Sequence, residues 1–389
     1  MRALRARIGR FWRHAGALLA EAGGADRIEE ALGIALREVH PALVAELDRG
    51  GGAPRVVVDP GDAPGLEPIL EEILQGVPRA EGVRAARHRP EVGVEEALRD
   101  VRERTGLDLR GARARLGFSR GHLLETVVSA TAFGSRDDER ALDAANLLVP
   151  RLVGGEIFDH WFGAVDVAPL PRGGPLRVLR DDRSEEGAPL ALAEILPAAE
   201  AAVRSVYDAL PELPYHRFCE RAEWTLLELD TAPGSRNIAE DLTLVTTMIP
   251  EATKCYLAGE RFSSRRFSRH GERFAQVVID AEGTGARERQ ERRVAIEDAL
   301  DLVLVPGGIG CVVGAGIGEG SVVVHLALVN ATHGVQAVAD GLRRLGVPER
   351  AWITFWDAGW EAEWVGVYEG TPPPPTGAHA GAGPGAAEE

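Results

Sequence analysis

Ile296, Ala299, Leu300 and Val303 fall at i, i+3, i+4 and i+7, which predicts an amphipathic helix that Pro306-Gly307-Gly308 ends. Cys311-Val312-Val313 then runs into Gly314, Gly316, Gly318 and Gly320, and a β-branched stretch follows from Val322 to Val329. The pattern predicts a hairpin turning at Gly318-Glu319-Gly320, with glycine supplying the positive φ of a tight turn. Val335, Val338, Leu342 and Leu345 share one helical face, with Thr332 as the expected N-cap and Gly346 and Pro348 as the stop. Strands at 352–356 and 362–368 complete an α-β-β-α-β-β order, the signature of an antiparallel sheet with helices on one face.

The same plan recurs upstream. Ile28, Leu32, Ala35, Leu36 and Val39 make a helical stripe. It leads into a hairpin across Gly50-Gly51-Gly52, a helix over 66–74 and a strand over 83–88. A second unit pairs a helix over 94–104 with strands over 112–118 and 122–132. Its second helix opens at a Ser135/Asp138 capping box, and a strand over 157–167 closes it. Leu170 to Pro189 is rich in proline, glycine and charge and predicts a linker. A third unit reads as a helix over 190–210 interrupted by Pro197, strands over 224–229 and 242–248, a helix over 250–257 and a strand over 274–280. The expected fold is therefore α+β, with repeated ferredoxin-like αββαβ units. Its domains would be a basic N-terminal helix (1–24), an N-terminal domain (25–169), a linker (170–189), a C-terminal domain (190–370) and a disordered tail (371–389).

The alternating glycines fail as a dinucleotide fingerprint in both registers. The third glycine would stand at Glu319 or Ser321, and a valine-rich strand follows where a helix N-terminus is needed. Ile296-Glu297-Asp298-Ala299-Leu300, followed by the glycine-punctuated hairpin and long strand, resembles an uncharacterised bacterial domain. That domain is often found beside ferredoxin-like modules similar to the regulators that inhibit ribonuclease E. The likeness covers roughly the last half of the chain, although the long strand here carries no aromatic pair. The resemblance implies a ferredoxin-like fold and a binding or regulatory role, and it carries over no catalytic residue.

Acidic residues outnumber basic ones 60 to 44 over 389 residues, a net charge of −16 that repels nucleic acid and anionic membrane and favours basic partners. Lys254 is the sole lysine, so Schiff-base chemistry would have to use it. Cys219, Cys255 and Cys311 are odd in number and far apart, which fits a reducing, cytoplasmic setting. The basic N-terminal stretch lacks an export-type apolar core, and no run is long enough to span a membrane.

Two stretches carry candidate chemistry. Trp352, Trp356, Trp360 and Trp364 gather four of the seven tryptophans, as in a protein-binding surface, with core packing as the alternative. Arg265, Arg266 and Arg269, between Phe262 and Phe274, form the candidate anion or RNA contact against a plain solvated-strand reading. His160, His325 and His333 are the candidates for an acid–base role with a carboxylate. His216 and Cys219 share a helix face, but two ligands make no zinc site, so neither metal nor cofactor is expected. These residues predict first a non-catalytic regulatory or inhibitory protein that binds another protein. A hydrolase or transferase with its site between the two domains is the alternative, and RNA binding through the arginine stretch is the second alternative.

Overall fold

The computed structural model describes residues 2–20, 24–48, 55–60, 66–78, 84–136, 138–170, 188–229 and 241–375. The chain divides into two compact units, residues 1–204 and 205–389. The expected linker lies almost wholly outside the described residues, as do the Gly50-Gly51-Gly52 turn and the tail beyond residue 375. The architecture is mixed α and β, with antiparallel pairing throughout the three sheets except for two parallel closures.

The first unit opens with α1 (Arg2–Ala20), α2 (Ala25–Arg37), β1 (Val44–Asp48), β2 (Arg55–Asp59), α3 (Glu67–Gln75) and β3 (Arg84–Ala86). The N-terminal helix is no free basic arm: Ile8, Phe11, Trp12 and Ala15 repeat at helical spacing and are buried in this core. Trp12 Nε1 donates to Ile73 O at 2.8 Å, and Arg5 on the outer face pairs with Glu72. The rest of the unit runs α4 (Val94–Thr105), β4 (Arg113–Phe118), β5 (Leu124–Ala130), α5 (Glu139–Val153), α6 (Gly155–Trp161), β6 (Phe162–Pro169) and β7 (Leu190–Ala191). Leu190 and Ala191 pair with β4, so the first unit extends past the expected start of the C-terminal domain.

Three local expectations are corrected here. Asp138, not Ser135, caps α5, its Oδ1 accepting from Ala141 N at 3.2 Å. Residues 155–161 are helical rather than the start of a strand, because Gly154 at φ 80° redirects the chain out of α5. The closing strands β3 and β6 run parallel to β2 and β5. Among the described residues no further strand intervenes in these sheets, so the returning strand docks directly on the second strand of the hairpin.

The second unit contains α7 (Ile195–Ala209, which begins in the first unit), α8 (Tyr215–Phe218), β8 (Thr225–Glu228), β9 (Leu242–Thr247) and α9 (Pro250–Leu257). It continues with β10 (Arg273–Asp280), α10 (Ala286–Leu304), β11 (Gly310–Gly318), β12 (Ser321–Leu328), α11 (Ala331–Leu345), β13 (Ala351–Phe355) and β14 (Trp364–Gly366). Pro197 sits in the first turn of α7, where its missing N–H costs no helical bond. One seven-stranded antiparallel sheet runs β14-β13-β10-β12-β11-β9-β8. The predicted third and fourth units are therefore not separate: β10, the last strand of one, is inserted between β13 and β12 of the other. Helices α10 and α11 cover one face over Val277, Val324, Leu326 and Ile353. On the other face, α9 and the Phe262 and Phe267 side chains pack over Phe274, Val313 and Trp356.

The hairpin turns where the glycines predict, for a different reason. Neither Gly318 nor Gly320 takes a positive φ. A Cβ on Gly318 would stand 2.1 Å from Asp241 Oδ2, and one on Gly314 or Gly316 would press on the β9 carbonyls at 2.9 and 3.0 Å. The Asp241 carboxylate accepts from Glu319 N (3.0 Å), Gly320 N (3.2 Å) and Ser321 Oγ (2.5 Å). The glycines thus admit a neighbouring strand and a capping carboxylate. Asn330 rather than Thr332 caps α11, accepting from His333 N at 3.0 Å.

Candidate functional site

The four clustered tryptophans do not form one surface. Trp352 and Trp356 are buried at 1% and 2% exposure. Trp352 Nε1 donates to Pro372 O at 2.6 Å, and Trp356 stacks on Tyr256 with ring centres 4.4 Å apart. Trp360 and Trp364 are half-buried, the Arg273 guanidinium lying 4.3 Å from the Trp360 ring centre. Trp364 is the cross-strand partner of Thr354, so 352, 356 and 364 share the sheet face that α9 covers, whereas Trp360, beyond the strand, packs on Phe355 of the opposite face. The arginine stretch is likewise divided. Arg266 is fully buried and donates to Arg261 O, and burial pushes its pKa down. Arg269 reaches the Tyr207 and Leu210 carbonyls at the end of α7, and the Arg265 side chain is exposed.

His325, His333 and His160 do not converge. His325 is fully buried on β12 while His333 is exposed at the start of α11. Around His325 the register exposes a feature that no single segment shows. Thr247, Gly314, His325, Gln276 and Thr354 are successive cross-strand partners over β9, β11, β12, β10 and β13. They form one polar row across the sheet face under α9, flanked by the apolar row Val245, Val323, Val278 and Trp352. Thr247 and Thr253 hydroxyls meet at 2.8 Å, and Gln276 Nε2 donates to Tyr256 Oη at 2.9 Å. Both His325 ring nitrogens, Thr354 Oγ1 and Trp356 Nε1 have no hydrogen-bond partner among the described residues. Burial drives the His325 pKa down to about 3, so the ring is neutral. Gly314 makes room for it: a Cβ there would lie 3.0 Å from His325 Nδ1.

In the first unit, Asp159 finds its partner 71 residues upstream. His88 Nδ1 and Asp159 Oδ2 are 2.9 Å apart, and the His160 ring centre lies 5.7 Å from that of His88. Glycine enables the approach: Gly155 N donates to Arg89 O at 2.9 Å, and a Cβ on Gly155 would meet His88 Cβ at 3.1 Å. Sequence spacing set Asp159 against His160 on a strand; on a helix Asp159 turns to His88 instead. Among the described residues, no group of three or more His, Cys, Asp or Glu is placed to hold a metal ion.

The seven-stranded sheet ends differently on its two sides. Val367 N extends the β14–β13 pairing by donating to Ala351 O, and beyond it Thr371, which is buried, packs on Gly366. Thr371 and Pro372, expected to belong to the tail, are instead held to the fold, Thr371 Oγ1 accepting from Tyr368 N at 3.0 Å and Pro372 O from Trp352 Nε1. At the opposite edge β8 pairs, among the described residues, with β9 alone. Leu229 N donates to Thr243 O, which sets the alternation and turns the Leu226 and Glu228 amides outward. Trp224 and Leu226 are 49% and 54% exposed on one face, with exposed Glu223 and Glu228 beside them. No helix among the described residues is long and apolar enough to cross a membrane. Comparison with protein-family models, characterised proteins and solved structures finds no match for this chain.

Proposed function

We propose that this chain is a non-catalytic regulatory protein that binds another protein by accepting an extended segment of it onto β8. The observation that carries this is the β8 edge, which among the described residues presents Trp224 and Leu226 beside outward amides. An added strand supplies main-chain hydrogen bonds, and the exposed tryptophan and leucine supply apolar contact. Glu223 and Glu228 flank that contact within a chain of net charge −16, so the partner segment is apolar at its centre and basic at its ends. The order β10-α10-β11-β12-α11-β13, with the strands side by side as β13-β10-β12-β11, supports reading this unit as ferredoxin-like. The resemblance of the Ile296–Leu300 stretch to domains found beside ribonuclease E regulators points the same way. The two sheets of the first unit fit the same plan with its first strand missing.

The test uses a short peptide of alternating valine and threonine flanked by lysines. The full chain should bind it, and Leu226→Lys should abolish binding while leaving the fold intact. Equal binding by the wild type and Leu226→Lys would count against the proposal. The His88–Asp159 pair favours a second reading, a general base whose tautomer the carboxylate fixes. That reading predicts a hydrolytic activity lost in His88→Gln.

A further inference from the structure

The three cysteines are far apart in sequence, but the fold of the second unit brings two of them together. Cys311 lies on β11, fully buried in the core that α8 helps to cover. Cys219 follows α8 in a short 3-10 turn (Cys219–Arg221) and packs against the same core. Ninety-two residues separate the two, yet their thiols lie within hydrogen-bond reach of each other. Both are reduced in this structure. Cys255 belongs to the same core and is engaged elsewhere, by Glu260 and Arg266.

A buried thiol alone is an ordinary small apolar side chain. This pair differs in being a pair, and in how its members are held. Cys219 is half-buried, so a small oxidant can reach it, while Cys311 is sealed in the core. Cys219 also sits in a turn and not in the sheet, its Sγ donating to His216 O at a long 3.5 Å. It can therefore move toward Cys311 without disturbing a strand.

We propose that Cys219 and Cys311 form a reversible disulfide that clamps the α8 segment onto β11, with a low-molecular-weight disulfide such as oxidised glutathione as the oxidant. The Cys219 thiolate attacks one sulfur of the oxidant, the oxidant's S–S bond breaks, and one glutathione leaves with the proton that Cys219 lost. The Cys311 sulfur then attacks Cys219 Sγ in the mixed disulfide, and the second glutathione leaves with the Cys311 proton. Two protein thiols lose two electrons, and oxidised glutathione is reduced to two molecules of glutathione. Burial is the main reason that both thiols have raised pKa values, and the negative field of Asp301 adds to it in each. The exchange is therefore slow at neutral pH and quickens as pH rises, as suits a bridge made under oxidative load in a reducing compartment. The clamp does not depend on peptide docking at β8 and is read with no peptide present.

The full chain, incubated with excess oxidised glutathione at mildly alkaline pH and well below its melting temperature, should lose the mass of two hydrogens and retain no glutathione. Trypsin, cutting after Arg217 and Arg221, should release residues 218–221 joined to the peptide that holds Cys311. Cys255 should become alkylatable once the bridged chain is unfolded, and dithiothreitol should restore the starting mass. Because the bridge closes a long loop, it should raise the melting temperature by about 5–10 °C. Cys219→Ala should abolish the bridge and Cys255→Ala should leave it, so the test stands even if Cys311→Ala folds poorly. Glutathione retained on Cys219, three free thiols, a bridge to Cys255, covalent dimers, or an unchanged melting temperature after bridging would each overturn the proposal.

Discussion

Lowering the pH should destabilise the second unit through one side chain, His325. Its folded pKa is near 3, against about 6.5 in the unfolded chain. As pH falls the unfolded state binds the proton first, so the stability that the neutral ring contributes is complete above the unfolded value and is lost between about pH 6.5 and pH 3. The slope approaches 1.4 kcal/mol per pH unit, which integrates to about 2 kcal/mol between pH 7.5 and pH 5. Buried Glu272 and half-buried Glu297 and Asp301 have pKa values pushed up by desolvation and shift stability the opposite way, so a difference measurement is required. Urea unfolding of wild type and His325→Leu at several pH values supplies it. The variant's acid limb should be shallower by that 2 kcal/mol. At neutral pH its stability should stay close to wild type, since two orphaned ring nitrogens are removed along with some packing volume. Parallel curves for the two proteins would refute the reasoning and place a protonatable partner at the ring.

Truncating Trp356 to alanine should cost about 3–5 kcal/mol by calorimetry, whereas Trp224→Ala at the open edge should cost below about 0.5 kcal/mol. Removing the α11 cap with Asn330→Ala should lower stability by about 1 kcal/mol in the same measurement. Alkylation with iodoacetamide near neutral pH should label half-buried Cys219 first; burial pushes the Cys255 thiol up to about 12 and the Cys311 thiol higher still, so both should stay unlabelled until the chain unfolds. Gly318→Ala should destabilise the hairpin measurably, because its methyl group would displace the Asp241 carboxylate from the turn.

Much of the fold is legible where apolar spacing is long and regular. The α10 stripe, the β11–β12 hairpin and the helix–strand order of each segment are readable from period alone. Strand adjacency is not, because the pattern of β10 is the same whether it closes its own unit or enters the next one. Short segments misread for a related reason: residues 157–161 are apolar enough for a strand, and only the turn at Gly154 makes them helical. The tryptophan cluster shows the limit of counting residue types. Of four rings close in sequence, three share one sheet face and Trp360, in the turn between β13 and β14, packs on the other, with two in the core and two at its margin. The polar row through His325 was hidden altogether. Each strand contributes a single unremarkable position, and the row exists only in the register that joins them. Trp224 stands apart from that cluster, and its exposure follows from β8 being last in the sheet.

Amide hydrogen exchange along β8 is the most direct measurement of the proposed function. With the lysine-flanked valine-threonine peptide added in excess, the outward amides of Leu226 and Glu228 should slow markedly, while the inward amides of Leu227 and Leu229, already bonded to β9, should change little. Unchanged exchange at Leu226 and Glu228 with the peptide demonstrably bound would contradict strand addition at this edge.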